Sequence, residues 1–220
     1  MNVLVRYRYW VIAWLVLVHV SGAVGLLLAP DFFLAFTPFN LLLSAALVVA
    51  SHERSSWVLP VGFLGAAFAG WFVEVVGVNT TYIFGDYLYG SSFGFQCVGV
   101  PLLIGLNWAV LVLAGLQVAR HHLLIQSRWL AALSVSGMLL ALDLLMEGVA
   151  PRLDFWTFYQ GASPMTYPGI HNFVGWLVTG FVIAFIAHPY LSRGVNRMAL
   201  FYLVLQGVFF IILNALFLIF

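Results

Sequence analysis

The sequence contains no lysine, a single cysteine and few charged residues of any kind. Only 7% of its 220 residues are charged, against roughly 25% in soluble domains, and 64% are hydrophobic. This composition indicates an integral membrane protein. The missing lysine excludes a retinal Schiff base, because that linkage needs a lysine amine. The lone Cys97 cannot form an internal disulfide, and a net charge of +1 gives no reason to expect nucleic acid as a partner.

Histidine is too scattered along the chain to predict a metal centre. A Cys/His zinc site or a histidine-rich di-iron site needs ligands at close spacing, and no phosphate-binding loop or nucleotide fingerprint is present. We therefore expect neither metal nor cofactor, and chemistry based on carboxyl, amide and aromatic side chains. The six histidines are His19, His52, His121, His122, His171 and His188.

Seven apolar segments are long enough to cross a bilayer, which takes about 20 residues. The first exceeds the apolar core of a cleaved signal peptide and is predicted to be a retained helix. Pro30 and Pro38 shorten the regular part of the second. We predict an all-α, polytopic membrane helix bundle forming one integral membrane domain, residues 1–220. The segments are Tyr9–Leu28, Phe32–Ala50, Trp57–Val76, Val98–Ala119, Trp129–Glu147, Gly169–Ala187 and Met198–Phe220.

Arginine predicts the orientation of this bundle. Only Arg152 falls on one side of the seven-segment arrangement, and the other seven arginines fall on the opposite side. Because cytoplasmic loops are rich in positive charge, we predict a cytoplasmic N-terminus, an outer C-terminus and a place in the cytoplasmic (inner) membrane. The seven are Arg6, Arg8, Arg54, Arg120, Arg128, Arg193 and Arg197.

Polar side chains inside the apolar segments gather toward the outer half of this arrangement. Such groups are costly in a membrane and point to function. Asp143 and Glu147 lie one helical turn apart, where two ionised carboxylates would repel, so at least one is expected to keep its proton. Glu74 lies near the outer end of the third segment, at a similar depth. Further polar residues predicted near this level are Asp86, Asn107, His171 and Asn172.

Simpler roles remain open for several of these residues. Glu147 could be an ordinary interfacial residue, and Asn172 could cap its helix. The two longer outer connections, 77–96 and 148–168, are rich in aromatic residues. An interfacial aromatic belt explains some of them, and the wall of a pocket beside the carboxylates is the alternative.

Four motifs in a fixed order carry a resemblance to a known family. They are Glu74-Val-Val-Gly77 followed by Phe84-Gly85-Asp86-Tyr87-Leu88-Tyr89; Val100-Pro101 with Trp108; Asp143 and Glu147 with Phe155-Trp156; and Asn172-Phe173-Val174-Gly175-Trp176. This stretch resembles the membrane-embedded carotenoid biosynthesis proteins, which include carotenoid 1,2-hydratases and bisanhydrobacterioruberin hydratases. Two positions depart from that pattern. Gly148 stands where the family usually has proline, and the order before Asn172 is Pro168-Gly169-Ile170-His171.

The resemblance implies addition of water across the terminal double bond of an acyclic carotenoid, giving a tertiary alcohol without a redox cofactor. A carotenoid, water and the lipid bilayer are then the partners. We predict Asp143 and Glu74 as the catalytic acid–base pair, at a site toward the outer face. Glu147, Asp86, Asn172, His171 and Asn107 are predicted to orient water or assist proton transfer. Tyr87, Tyr89, Trp108, Trp156, Trp176 and Phe173 are predicted to bind the end group.

A protein of another class would use the same apolar segments differently. A carotenoid- or lipid-binding protein without enzymatic activity needs an apolar cavity but no proton donor. A small transporter typically has helices broken near mid-membrane, whereas the polar groups here lie toward one face. Both alternatives predict that a bound carotenoid keeps its mass, whereas a hydratase would add the mass of one water.

Overall fold

A computed structural model describes residues 8–53 and 57–219. Within these ranges six helices are long and apolar enough to cross a membrane, namely Arg8–Leu28, Val58–Thr80, Leu102–His121, Arg128–Met146, Ile170–Leu191 and Ala199–Ile219. The predicted polytopic helix bundle is thus confirmed in its main feature, although short strands accompany the helices. The helices are α1 (Arg8–Leu28), α2 (Pro30–Leu34), α3 (Thr37–Ala50), α4 (Val58–Thr80), α5 (Leu102–His121), α6 (Arg128–Met146), α7 (Ile170–Leu191) and α8 (Ala199–Ile219).

Proline divides the second predicted segment into two helices. Pro30 begins α2 and Pro38 lies in the first turn of α3, where a missing N–H breaks no helical hydrogen bond. The 14 residues of α3 span about 21 Å at 1.5 Å per residue, less than the roughly 30 Å of a hydrocarbon core. The count of seven crossings therefore stays a prediction.

Short strands join the ends of the helices. At one end β1 (His52–Glu53) pairs antiparallel with β7 (Val195–Asn196), and Asn196 Nδ2 donates to the Val48 carbonyl at 2.8 Å. Arg197 forms an ion pair with Glu53 at 2.8 Å there, and we call this the arginine end. The strands are β1 (His52–Glu53), β2 (Tyr87–Tyr89), β3 (Gln96–Cys97), β4 (Val100–Pro101), β5 (Trp156–Gln160), β6 (Ser163–Met165) and β7 (Val195–Asn196).

The direction of the chain alternates along the bundle. Val11 and Leu15 of α1 pack against Met198, so α1 begins at the arginine end, as α8 does. A Cβ on Gly94 would lie 3.5 Å from Pro38, which places the start of α3 at the opposite end. This alternation is what the seven-segment prediction requires. The membrane orientation stays a prediction, and Arg6, Arg54 and Phe220, on which it partly depends, lie outside the described residues.

Helix α5 lies at the centre of the bundle and is the most buried of the membrane-length helices. It packs against α3, α4, α6, α7 and α8. Glycine lets α4 approach it closely, since a Cβ on Gly70 would lie 2.4 Å from Trp108 Cβ. This contact fixes Trp108, whose ring faces the site described next.

Candidate active site

The two aromatic-rich connections pair with each other at the end opposite the arginine end. Strand β2 is antiparallel to β5, with Tyr87 opposite Phe158 and Tyr89 opposite Trp156, and β6 extends the sheet. Alternate residues of a strand share a face, so these four aromatic side chains point together toward the helix ends. All four line a cavity below the sheet, which supports the pocket interpretation. Tyr82, 85% exposed, fits the interfacial belt.

Asp154 holds the two connections together. Its Oδ2 accepts hydrogen bonds from the backbone N–H and the hydroxyl of Ser91, both at 2.8 Å. The Gly90 N–H donates to the Phe155 carbonyl at 3.0 Å. Asp154 has a positive φ of 51°, a conformation that Asp tolerates better than most residues. The sequence analysis missed this residue because its partner is 63 positions away.

Glu74, near the end of α4, is buried among three hydrogen-bond donors. Its Oε2 accepts from the Tyr87 hydroxyl at 2.5 Å and from the Tyr89 hydroxyl at 2.9 Å. Its Oε1 accepts from Trp108 Nε1 at 2.9 Å. Burial raises the pKa of both tyrosines well above the ordinary value, so they remain donors. A carboxylate offers about four lone-pair positions, and three are occupied here, leaving one at Oε1.

Asp143 and Glu147 form a buried carboxyl pair at the end of α6. Their exposed fractions are 0% and 2%. Asn172 Nδ2 donates to Asp143 Oδ2 and to Glu147 Oε1, both at 2.9 Å, and Trp156 Nε1 donates to Glu147 Oε2 at 3.2 Å. Among the described residues nothing donates to the buried Asp143 Oδ1.

This shortage of donors favours a shared proton in the pair. Two negative charges one turn apart in a buried site repel strongly, and the few donors offset only part of that cost. Burial raises the pKa of the Glu147 carboxyl, while its hydrogen bonds from Trp156 and Asn172 lower it. The pair is therefore suited to hold one proton, and Glu74, with its three donors, is suited to hold negative charge.

The two carboxyl groups Glu74 and Glu147 face one small cavity, which we call the polar cavity. Its volume is about 30 Å³, enough for one or two water molecules. Asp143 does not line this cavity, and Asn172 links it to Glu147. The wall consists of Glu74, Phe84, Tyr87, Tyr89, Ile104, Asn107, Trp108, Met146, Glu147, Trp156, Phe158, Asn172 and Trp176.

A larger space, which we call the apolar cleft, adjoins the polar cavity. Its volume is about 370 Å³, and residues of α1, α2, α3 and α8 form most of its wall. Ile104, Asn107, Met146 and Trp156 line both spaces. Phe32 is 62% exposed on the outer surface of this wall, so the cleft borders the region that lipid would occupy. The sequence analysis missed Ile104 and Met146, which look like ordinary apolar helix residues.

Most predicted site residues come together around these two spaces. Ten of them line the polar cavity or, for Asp143, contact its wall, and they come from α4, α5, α6, α7 and the sheet. Trp108 and Trp176 stack with ring centroids 4.4 Å apart. The ten are Glu74, Tyr87, Tyr89, Asn107, Trp108, Asp143, Glu147, Trp156, Asn172 and Trp176.

Asp86, His171 and Phe173 are not brought to either space. Asp86 is exposed, because the side chains of Tyr87 and Tyr89 point inward and the alternation of a strand turns their neighbours away. His171 is exposed next to the buried Asn172, since consecutive residues of a helix point about 100° apart. The structure thus gives these three residues no geometric role in the site.

Gly148, the first departure from the family pattern, lies against α8. A Cβ at this position would be only 2.1 Å from Asn214 Oδ1. Asn214 Nδ2 in turn donates to the Leu145 carbonyl at 2.7 Å, one of the last carbonyls of α6 that has no partner within its own helix. Glycine at 148 therefore lets α8 support the helix end that carries Glu147.

The residues of the site are suited to proton transfer. In residues 8–53 and 57–219, no three His, Cys, Asp or Glu side chains lie close enough to hold a metal ion. The carboxyl groups of Glu74 and Glu147 and the amides of Asn107 and Asn172 line the polar cavity, and Asn172 links Glu147 to Asp143.

Comparison with known proteins identifies similar chains. The model of a family described as carotenoid biosynthesis protein matches residues 36–220. A bisanhydrobacterioruberin hydratase from Haloarcula japonica is 28% identical over 122 residues, which cover 50% of this chain and 38% of that relative. No solved structure matches.

Proposed function

This chain belongs to the carotenoid biosynthesis protein family, and we propose that it is a hydratase acting on an acyclic carotenoid. Water adds across the terminal double bond of the end group and gives a tertiary alcohol. The similar Haloarcula japonica protein carries the name of a hydratase, which supports this reaction type. Addition of water changes no overall oxidation state, so the proposed reaction needs no redox cofactor.

The observation that carries the proposal is the contact between two unlike spaces. A water-sized polar cavity with two facing carboxyl groups shares Asn107, Met146 and Trp156 with a large apolar cleft. A polyene in the cleft would meet water only at this boundary. Binding sites for apolar ligands are mostly apolar with a few placed polar groups, and this arrangement adds a proton donor and a proton acceptor.

Protonation of the alkene comes first in the proposed mechanism. Glu147 gives the proton that it shares with Asp143 to the less substituted carbon of the double bond, so that a C–H bond forms as the π bond breaks. The tertiary carbocation that forms faces the rings of Trp156 and Trp108, which line the polar cavity. A desolvated cation–π contact contributes about 2 kcal/mol.

Capture of water completes the reaction. The oxygen of a water molecule in the polar cavity bonds to the cationic carbon, and Glu74 accepts the released proton at its remaining Oε1 position. The proton then returns from Glu74 to the pair through cavity water, which restores the starting state. Asn107 and Asn172 orient the water, and general acid–base catalysis of this kind contributes about 10² to 10⁴ in rate.

The roles of the carboxyl groups differ from those predicted from sequence alone. Their similar predicted depth in two helices favoured Asp143 and Glu74 as the acid–base pair. Because Glu147 lines the polar cavity and Asp143 contacts it through Asn172, we assign proton donation to Glu147. Asp143 is then a positioning residue. Its negative charge would repel a second negative charge on Glu147 and so keeps the Glu147 carboxyl protonated.

The proposed site lies in the outer half of a seven-crossing bundle in the cytoplasmic membrane. The alternating chain direction supports this topology, as do Arg120, Arg128, Arg193 and Arg197 near one end. Glu74 and Glu147 lie near the other end of their helices. The polyene would enter the cleft from lipid.

Pigment analysis in a host that makes an acyclic carotenoid tests this function. Cells expressing the wild-type chain should accumulate a pigment heavier by one water, and cells without it should not. Recovery of unchanged pigment bound to the purified protein would instead support a binding protein without enzymatic activity.

A further inference from the structure

The apolar cleft contains a second group of polar side chains that the proposed reaction does not use. His19 of α1, Asn40 and Ser44 of α3, and Gln206 of α8 all line it. An unpaired polar group inside an apolar helix bundle is costly and is usually functional. The hydrogen bonds of this group show which atoms remain available to a ligand.

The orientation of Gln206 follows from its contact with His19. His19 Nδ1 lies 2.8 Å from the Leu15 carbonyl and therefore carries the proton. Its Nε2, 2.9 Å from Gln206 Nε2, then accepts a hydrogen bond from that amide. The amide nitrogen of Gln206 thus faces His19, and in the described part of the chain no donor reaches its Oε1.

Asn40 has an unpaired hydrogen-bond donor, which complements the acceptor Gln206 Oε1. Its Oδ1 accepts a 3.4 Å hydrogen bond from the Ser44 hydroxyl. No acceptor within 8–53 or 57–219 pairs with Asn40 Nδ2. Gln206 Oε1 and Asn40 Nδ2 are therefore an unpaired acceptor and an unpaired donor on the cleft wall.

We propose that Asn40 and Gln206 form a subsite for a hydroxyl group on the polyene, remote from the end that reacts. A hydroxyl oxygen accepts from Asn40 Nδ2 while its hydrogen is donated to Gln206 Oε1, and a hydrocarbon can do neither. The inference rests on the proposed function, since it concerns the same ligand in the same cleft. It places the reaction after an earlier hydration or hydroxylation that supplies this oxygen.

A purely structural role explains only part of the cluster. Polar side chains often link membrane helices, and the His19–Gln206 contact joins α1 to α8 in this way. That role uses neither Gln206 Oε1 nor Asn40 Nδ2. It also predicts that replacing either residue weakens the binding of every polyene equally, with or without a hydroxyl. This expectation separates the two explanations.

Binding of two polyenes to the purified full-length protein in lipid nanodiscs tests the subsite. The probes have equal chain length, and one is a hydrocarbon while the other bears one tertiary hydroxyl. The wild type should bind the hydroxylated probe about tenfold more tightly, the factor expected from one net buried hydrogen bond. Asn40→Leu and the near-isosteric Gln206→Met should each remove most of this preference and keep the hydrocarbon affinity within about twofold.

Ser21→Ala is the matched control. Ser21 also lines the cleft, but its hydroxyl already donates to the Val18 carbonyl at 3.1 Å, so the preference should persist. Equal wild-type affinity for both probes, or equal weakening of both by the variants, would overturn the subsite. A preserved preference without any water addition would instead refute the hydratase function and leave the subsite standing.

Discussion

Replacing Glu74 by glutamine removes the charge of the proposed base while it keeps the shape of the side chain. Glu74 accepts hydrogen bonds from Tyr87, Tyr89 and Trp108, each worth about 1.5 to 3 kcal/mol when the acceptor is charged. The single carbonyl oxygen of Gln can serve either the two tyrosines or the tryptophan. Part of this network is therefore lost, at a cost in folding free energy of about 2 to 3 kcal/mol.

The effect of Glu74→Gln on activity should be much larger than its effect on folding. Loss of a general base lowers the rate by about 10² to 10⁴, and the amide cannot accept the proton released by water. Initial rates of alcohol formation in membranes with equal amounts of protein measure this loss. Glu53→Gln is the matched control, because Glu53 lies at the arginine end, where it pairs with the exposed Arg197. Activity of Glu74→Gln within about threefold of the wild type would refute the assignment of Glu74 as base.

Three further predictions concern the carboxyl pair and the packing of Trp108 against α4. Asp143→Asn and Glu147→Gln should be strongly non-additive in hydration rate, because both act on one shared proton; independent losses that multiply in the double variant would argue against the pair. Because burial raises the pKa of Glu147, the acid should stay protonated above the pH at which a free glutamate ionises. Activity should then fall as pH rises through the raised pKa, and a profile of initial rates that rises over this range would contradict the role as acid. Gly70→Ala should force Trp108 to move, at a cost of about 1 to 3 kcal/mol, and lower both thermal stability and hydration rate, while Gly65→Ala, with no atom within 4 Å of the new Cβ, should change neither.

The sequence predicted the helices and the main polar residues because both rest on local chemistry. An apolar run of spanning length is recognisable without any neighbour, and a carboxylate such as Glu74 or Asp143 near the end of such a run is costly by itself. These residues could therefore be singled out before their partners were known. The short strand that carries Tyr87 and Tyr89 was not predicted from the sequence, and its alternation explains why both side chains point to the same side.

The remaining features depend on contacts between distant segments. The sequence does not show which of His171 and Asn172 points inward, because both begin the same helix. The link between Asp154 and Ser91 joins two separate connections, and the contact of Gly148 with Asn214 joins α6 to α8. The apolar cleft draws its wall from α1, α2, α3, α5, α6 and α8, so neither its position nor its polar atoms could be predicted from any one segment.

Isotope labelling of the product oxygen tests the central claim most directly. Membranes containing the wild-type chain are incubated with an acyclic carotenoid in ¹⁸O-labelled water, and the pigments are analysed by mass spectrometry. The account predicts a tertiary alcohol heavier by one labelled water, and loss of that product in the Glu74→Gln variant. Pigment of unchanged mass, or a new oxygen without the label, would contradict it.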